Sequence, residues 1–244
     1  MYAVTQLRDV VYVVCCWFKA IRRYNATTHQ RLADIVITGL RYPWDIVACE
    51  LTCQLYVIDW ARRVWQVSPD GVDTQRWWVL LETSKAYTLS VTSSRLLVTS
   101  FSDNQLIQFD AADLVRVRLP DYMDAHHAVE SPTGTFIVTH RNTQLNQFQV
   151  NEVSTEGQVL RQFSGSLCWP QHIAVDRQGN IFVADNGNGR ILLLDAQLAL
   201  RRVIIDERQL GYSQPLRLCY TDQSGQLLIG FDDDGVAVFH MLRR

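Results

Sequence analysis

The chain has 244 residues, with 23 basic and 25 acidic side chains and a formal net charge of −2. Hydrophobic residues make up 48% and charged residues 20% of the sequence, a composition that is typical of globular proteins and argues against disorder. The near-neutral charge argues against a strongly basic nucleic-acid-binding protein. No apolar run reaches the roughly 20 residues that a membrane-spanning helix needs.

Short apolar segments separated by Gly, Asn and Asp predict strands and tight turns along the whole chain. They recur in six units at a spacing of roughly 40–45 residues, and the first and third units are degenerate copies. No segment has a sustained helical period, and no linker divides the chain. The predicted innermost strands of the six units lie near residues 3–7, 45–49, 87–91, 127–131, 172–176 and 216–220.

The fifth unit shows the pattern most clearly. A first strand up to Asp176 is followed by a tight turn, a second strand over 181–185, a third over 191–195 and a fourth over 200–205. A repeat of this length with four short strands is typical of a propeller blade, whose two faces are buried only when blades stack around an axis. We therefore predict an all-β, six-bladed β-propeller that forms a single domain over residues 1–244.

The sixth unit is shorter than the others. Its predicted third strand covers 236–241, and only Leu242, Arg243 and Arg244 follow it in the sequence. We expect blade six to lack its outermost strand or to take that strand from outside this chain. An unpaired edge favours aggregation, and the terminal arginines would reduce that tendency.

The fifth unit resembles an NHL repeat. The residues that carry this resemblance are Pro170, Ile173, Ala174, Val175, Asp176, Gly179, Ile181, Val183, Ala184, Asp185, Arg190 and Ile191. The second unit is a partial match through Pro43, Val57, Asp59, Arg63 and Val64. The resemblance implies a six-bladed propeller of a kind that serves as a protein- or RNA-binding platform, often at the end of tripartite-motif ubiquitin ligases, with a few enzymes among related propellers. The RING, B-box and coiled coil of those ligases are not in this sequence, so ligase activity is not implied.

One set of candidate binding residues follows the second strand of each blade. Alignment of the units places an aromatic residue there in blades six, one, two and three, namely Phe231, Trp17, Trp60 and Phe101. We expect these side chains to form an aromatic arc on the loop face, with Arg141 and Asn186 opposite and with Trp44 and Trp169 nearby. Clustered aromatic side chains are common binding anchors. The alternative is that they pack under neighbouring loops as part of the core.

A second set lies at the mouth of the central channel. Asp45, His127, His172 and Arg217 align there, and blades one and three give no clear counterpart. Such a ring of mixed charge could bind a metal, an anion or water, or its members could satisfy one another in a solvated channel. Zinc would need Asp45 beside the two histidines, and the charge of Arg217 disfavours it. We predict no metal and no cofactor.

Other residues are assigned structural roles. Asp59 with Arg63, and Asp185 with Arg190, recur at the same place in two units and are expected to pair and fix a loop. The acidic run Asp232–Asp234 lacks the spaced ligands of a calcium loop and is interpreted as a solvated hairpin.

Two kinds of propeller enzyme bear on the function. Similar peptide-amidating lyases hold zinc through histidines directly after the turn proline, where this chain has Trp44, Gln171 and Leu216. Lactonase-like propellers ring a calcium with Glu, Asn and Asp, and no Glu occurs at a predicted channel-mouth position. We therefore expect a non-enzymatic binding platform that recognises a protein or peptide on the loop face. An RNA-binding propeller is the first alternative, and a metal-dependent lyase or lactonase-like enzyme is the second.

The RNA alternative depends on the charge of the loop face. The candidate basic residues of this face are Lys19, Arg62, Arg63, Arg141 and Arg217. Their positive charge is offset by Asp45 and by Asp232–Asp234. RNA binding would need a positive face.

The cysteines bear on the compartment. There is no CxxC pair or zinc-type spacing among them, so we expect reduced thiols and a cytoplasmic protein. The six are Cys15, Cys16, Cys49, Cys53, Cys168 and Cys219. One glycosylation sequon, Asn25-Ala26-Thr27, leaves an extracellular location open.

Overall fold

The computed structural model describes residues 2–79, 87–91, 96–100, 103–109, 114–163, 165–211, 213–232 and 235–241. These ranges contain 23 β-strands and one short 3-10 helix, Asn186–Asn188. None of the helical structure in them is long and apolar enough to cross a membrane. Phe101, Asp233 and Asp234, which the sequence analysis singled out, lie outside the described residues.

The strands form six antiparallel sheets, the blades, and each blade is built from strands that are consecutive in the chain. Blade one contains β1 (Tyr2–Leu7), β2 (Val10–Cys15), β3 (Ala20–Asn25) and β4 (Arg31–Val36). Blade two contains β5 (Pro43–Cys49), β6 (Gln54–Asp59), β7 (Arg63–Val67) and β8 (Thr74–Val79). Blade three contains β9 (Tyr87–Val91), β10 (Leu96–Ser100), β11 (Gln105–Phe109) and β12 (Leu114–Arg118).

The second half of the chain continues the same order. Blade four contains β13 (Met123–Glu130), β14 (Phe136–Asn142), β15 (Gln147–Val153) and β16 (Val159–Phe163). Blade five contains β17 (Pro170–Val175), β18 (Ile181–Asp185), β19 (Arg190–Leu194) and β20 (Leu200–Ile205). Blade six contains β21 (Pro215–Thr221), β22 (Gln226–Phe231) and β23 (Val236–His240).

The innermost strands close a ring around a central channel. The strands β1, β5, β9, β13, β17 and β21 contact one another in this order, and β21 contacts β1 again. They lie where the sequence repeat places them, so the predicted six-bladed propeller and its innermost strands are confirmed. Blade six has three strands in the described part of the chain, as predicted.

The core lies between neighbouring blades. Ile21 and Ile35 of blade one, for example, share a buried cluster with Ile46 and Leu55 of blade two. Because each sheet is covered on both faces, its middle strands are apolar on both faces, and every side chain of β18 is buried. The second strands of blades one, five and six are therefore largely apolar runs that do not alternate between polar and apolar residues.

Candidate functional site

A repeated irregularity of the innermost strands directs one side chain toward the channel in blades two, four, five and six. In blades two, four, five and six the register with the second strand shifts by one residue just before this side chain. A bulge of this kind redirects the side chain that follows it. The residues placed in this way are Asp45, His127, His172 and Arg217, the four that the sequence comparison had aligned at the channel mouth.

The strand register also identifies the corresponding positions in blades one and three, where the sequence repeat has no clear counterpart. The second residue pair between the first and second strands, counted from the start of the innermost strand, contains Asp45, His172 and Arg217 in blades two, five and six. In blades one and three the same pair contains Ala3 and Thr88. These two strands have no bulge before the position, so the repeat signature gave no signal there. We call the complete set the channel ring, and it consists of Ala3, Asp45, Thr88, His127, His172 and Arg217.

Side chains of the channel ring bond to the backbone of the next blade. Asp45 Oδ2 accepts from the Leu89 amide at 2.8 Å. His127 Nδ1 and His172 Nδ1 accept from the amides of the residues that follow the ring position in blades five and six, each at 3.3 Å. Thr88 donates its hydroxyl to the His126 carbonyl at 2.9 Å. The ring therefore joins blades two to six through side chain to main chain bonds.

These bonds set the protonation of the two histidines. His127 Nε2 lies 3.2 Å from the Leu89 carbonyl, and because its Nδ1 accepts an amide, Nε2 carries the proton. Burial lowers the pKa of His127 to about 3. Burial also lowers the pKa of His172, with smaller contributions from His127 and Arg217. The two neutral rings stack with centroids 3.5 Å apart.

The ring also contains a buried ion pair. Arg217 Nε lies 3.3 Å from Asp45 Oδ1, and both side chains are almost fully buried. Burial raises the pKa of Asp45, while Arg217 and the amides of Leu89 and Ile46 act in the opposite direction. Four ring residues, Asp45, His127, His172 and Arg217, line a channel cavity of about 200 Å³ together with other residues of the innermost strands. Among the described residues, no group of three or more His, Cys, Asp and Glu side chains could hold a metal ion.

The loop face carries exposed tryptophans. Trp17 is 74%, Trp60 68% and Trp169 48% exposed. The Trp44 ring lies 5.7 Å from that of Trp60, so the two form one aromatic group on blade two. Trp169 forms a second group with Phe148, at 5.5 Å, and with His126, at 6.0 Å.

Phe231 does not belong to this surface, and the prediction that it joins an aromatic arc is wrong. It is 7% exposed and packs in the core between blades five and six. Phe231 pairs with Pro215 as Asp59 pairs with Pro43, because β22 continues one residue further than the sequence alignment assumed. The counterpart of Trp60 in blade six is therefore Asp232.

The polar residues predicted opposite the arc differ from each other. Asn186 is buried, and its side chain donates to the Pro215 carbonyl at 3.2 Å, so it ties blade five to blade six and is not exposed to a ligand. Arg141 is exposed and donates to Asn146 Oδ1 at 2.6 Å.

The two predicted loop-fixing pairs are present. Asp59 pairs with Arg63 at 2.6 Å, and Asp185 pairs with Arg190 at 2.7 Å. Each arginine also donates to a carbonyl of the loop that precedes the innermost strand, Gly39 in blade two and Ser166 in blade five. These pairs hold the loop that leads to Trp44 at the start of β5 and the loop that carries Trp169. The six cysteines, all of which the structure describes, form no disulfide with one another.

Comparison with known proteins supports the propeller fold. Residues 167–192 match the NHL repeat family. The chain is similar to a virginiamycin B lyase from Staphylococcus aureus, in an inactive form with quinupristin (TM-score 0.72, 12% identity, 98% of this chain and 80% of that chain covered). It is also similar to a chain of a nidogen/laminin complex (TM-score 0.72, 12% identity, 89% and 83% covered). A gluconolactonase from Xanthomonas campestris is a third similar structure (TM-score 0.70, 10% identity, 94% and 82% covered).

No curated protein matches the sequence. The similar structures include enzymes and a protein that takes part in a protein complex, and at these identities the likeness shows the fold alone. The chain is thus a six-bladed β-propeller that carries an NHL repeat in its fifth blade.

Proposed function

We propose that this propeller is a non-enzymatic binding platform that recognises an extended segment of a partner protein on its loop face. The observation that carries the proposal is the exposure of Trp17, Trp60 and Trp169 on loops of one face. Exposed apolar rings lower solubility, and large exposed apolar patches most often mark interaction sites. Tryptophan is also the residue most enriched among the anchors of protein interfaces.

The arrangement of the anchors suggests what the segment contains. One aromatic group, Trp44 with Trp60, stands on blade two, and the other, around Trp169, stands at blades four and five, across the ring. Arg141 lies near His126 of the second group and adds a positive charge there. A segment with apolar side chains at both ends and a carboxylate near Arg141 would match this surface.

The channel ring supports a structural role better than a catalytic one. The Nδ1 atoms of His127 and His172 already accept backbone amides, so these atoms are not available to a metal or a substrate. Arg217 and Asp45 are engaged with each other. The enzyme alternative therefore rests on likeness of fold, which this chain also shares with a component of a protein complex.

The RNA alternative is weakened by two of its candidate bases. Arg217 is buried beside Asp45, and Arg63 is paired with Asp59, so neither offers an uncompensated charge to phosphate. Of the other predicted bases, Lys19 and Arg141 are exposed, whereas Arg62 is half-buried and has an interaction partner. Such a face is less positive than the sequence alignment suggested.

The experiment is selection of displayed twelve-residue peptides on the intact chain, followed by titration of the selected peptides with purified variants. Trp17→Ala, Trp60→Ala and Trp169→Ala should each weaken binding, by about 2 kcal/mol for a central anchor. Val36→Ala is the matched control, because Val36 is 74% exposed on the outermost strand of blade one. Peptides that bind all three tryptophan variants as tightly as the wild type would refute the proposal. Tight, strongly salt-dependent binding of a uridine oligonucleotide would favour RNA instead.

A further inference from the structure

Within the described residues, β23 is an edge strand that contains no proline and is covered by no further strand. Its sequence is Val236-Ala237-Val238-Phe239-His240, and its first four residues are half-buried with side chains on both faces of the sheet. In the described part of the chain, its outer edge pairs with no other strand. Natural edge strands are normally shielded by charges, prolines, bulges or a covering segment. A mostly apolar edge of this kind is a surface on which another strand can pair.

Four other blades show which side chains a fourth strand places beside the third strand. At one position of the third strand an aliphatic residue pairs with a large apolar residue of the fourth strand. These pairs are Ile21 with Ile35, Leu106 with Val117, Val150 with Phe163 and Ile191 with Ile205. All eight side chains are buried. Val236 is the corresponding residue of blade six, because it pairs with Gly230 as Ile191 pairs with Ala184, and it is only half-buried.

The unfilled place is a groove of about 470 Å³ between blades six and one. Val236 and Val238 form its wall on blade six, and Val11, Val13 and Tyr24 are among the residues of blade one that line it. The position that Ile35 or Phe163 fills in its own blade thus corresponds to this groove.

The charges of the groove favour an acidic occupant. Arg22 and His29 line it, and there is no carboxylate among its described lining residues. The Arg22 guanidinium lies 3.9 Å from the centroid of the Phe18 ring. An incoming carboxylate would therefore gain an attractive partner.

We propose that the edge of β23 is a second docking site, which accepts an acidic, extended segment of a partner protein as the fourth strand of blade six. The segment runs antiparallel to β23, places one large apolar residue opposite Val236 and directs a carboxylate toward Arg22. Backbone hydrogen bonds supply affinity, and the groove selects the side chains. A second copy of this chain fits less well, because its own β23 offers His240 as the ionisable side chain and no carboxylate.

This site differs from the loop face in what it recognises. The loop face offers tryptophan rings, whereas the β23 edge offers main-chain groups and one apolar groove. The two proposals can therefore fail separately. Loss of Trp60 should not affect the edge, and a charge at Val236 should not affect the loop face.

The probe is a fluorescein-labelled peptide, Glu-Thr-Glu-Thr-Ile-Thr, in which the isoleucine takes the place opposite Val236 and the second glutamate lies on the same face. We expect saturable binding to the intact chain and slower hydrogen exchange of the amides of residues 236–240. Val236→Glu should weaken binding at least about tenfold, the loss typical of an interface anchor. Val203→Glu is the matched control, because Val203 is exposed on the outermost strand of blade five.

Exchanging the charges of Arg22 and of the peptide distinguishes a lost contact from a variant that does not fold. Arg22→Glu should reduce binding of the glutamate peptide and increase binding of the same peptide with lysine in place of glutamate. A lysine peptide that binds the wild type as well as the glutamate peptide does would overturn the proposal. It would also be overturned if residues 236–240 exchange slowly without peptide and the chain is a dimer, because a second copy would then occupy the edge.

Discussion

Arg217 and Asp45 form an ion pair that spans a whole blade. Arg217 belongs to blade six and Asp45 to blade two, yet Nε of one lies 3.3 Å from Oδ1 of the other. Between them, the ring position of blade one is held by Ala3, whose side chain is a single methyl group. The pair thus joins blade six to blade two across blade one.

Removal of one partner should destabilise the fold strongly. Asp45→Asn leaves the buried Arg217 without its counter-charge, and we expect a loss of about 3–5 kcal/mol in the free energy of unfolding. Replacement of both residues, Asp45→Asn with Arg217→Met, should restore much of the loss because no unpaired charge remains buried. Urea denaturation of the four proteins in the cycle measures this coupling. Strictly additive losses would show that the pair contributes nothing as a pair.

The buried histidines predict loss of stability in mild acid. The pKa of His127 is about 3 in the folded chain, against an ordinary value of 6.5, because burial disfavours the charged ring. As pH falls below about 6.5 the unfolded chain therefore takes up this proton before the folded chain does. The stability that neutral His127 contributes is fully present above that pH and is lost toward pH 3, by about 2 kcal/mol at pH 5.

His127→Gln tests this pH dependence. Glutamine can accept the Ile173 amide and donate to the Leu89 carbonyl without titrating, so its stability should fall less between pH 6.5 and 5 than that of the wild type. Urea midpoints at several pH values give the two slopes. Equal slopes would mean that His127 does not titrate between the folded and unfolded states as proposed. The buried His140, whose pKa is lowered to about 4, leaves a residual slope in both proteins.

Trp60 and Trp65 should respond in opposite ways to truncation. Trp60 is 68% exposed, so Trp60→Ala should change the free energy of unfolding by less than about 1 kcal/mol. Trp65 is buried and donates its Nε1–H to Asp59 Oδ2 at 3.1 Å, so Trp65→Ala should cost about 3–5 kcal/mol. Parallel melting curves distinguish the two. A large destabilisation by Trp60→Ala would place this ring in the core and remove it from the proposed site.

Gly230 should tolerate no side chain. A Cβ added there would come within 2.3 Å of the Tyr2 carbonyl oxygen of blade one, and backbone cannot move aside cheaply. We expect Gly230→Ala to destabilise the fold by about 1–3 kcal/mol through forced separation of blades six and one. The corresponding residue of blade five is already alanine, Ala184, so Ala184→Gly is a useful comparison. An unchanged melting temperature for Gly230→Ala would show that this junction is loose.

The blades were predictable because each repeat carries its own local signals. Apolar runs with Gly and Asn turns marked the strands, and the count after Val236 indicated a three-stranded last blade. The pairs of Asp59 with Arg63 and Asp185 with Arg190 were equally local, since four or five residues separate the partners. What such signals could not show was the end of a strand to within one residue. That error placed Phe231 on the surface, because a shift of one residue reverses the face on which a strand side chain lies.

The sequence by itself determined the six-bladed architecture, the positions of the innermost strands and the residues that line the channel mouth. Only the tertiary structure decided how those residues are used. It placed Ala3 and Thr88 in the channel ring, buried the four predicted polar residues, and paired Arg217 with Asp45 across an intervening blade. It also separated the exposed Trp17 and Trp60 from the buried Phe231. The physical reason is that strand formation depends on neighbours in the chain, whereas burial and charge pairing depend on which blades meet around the axis.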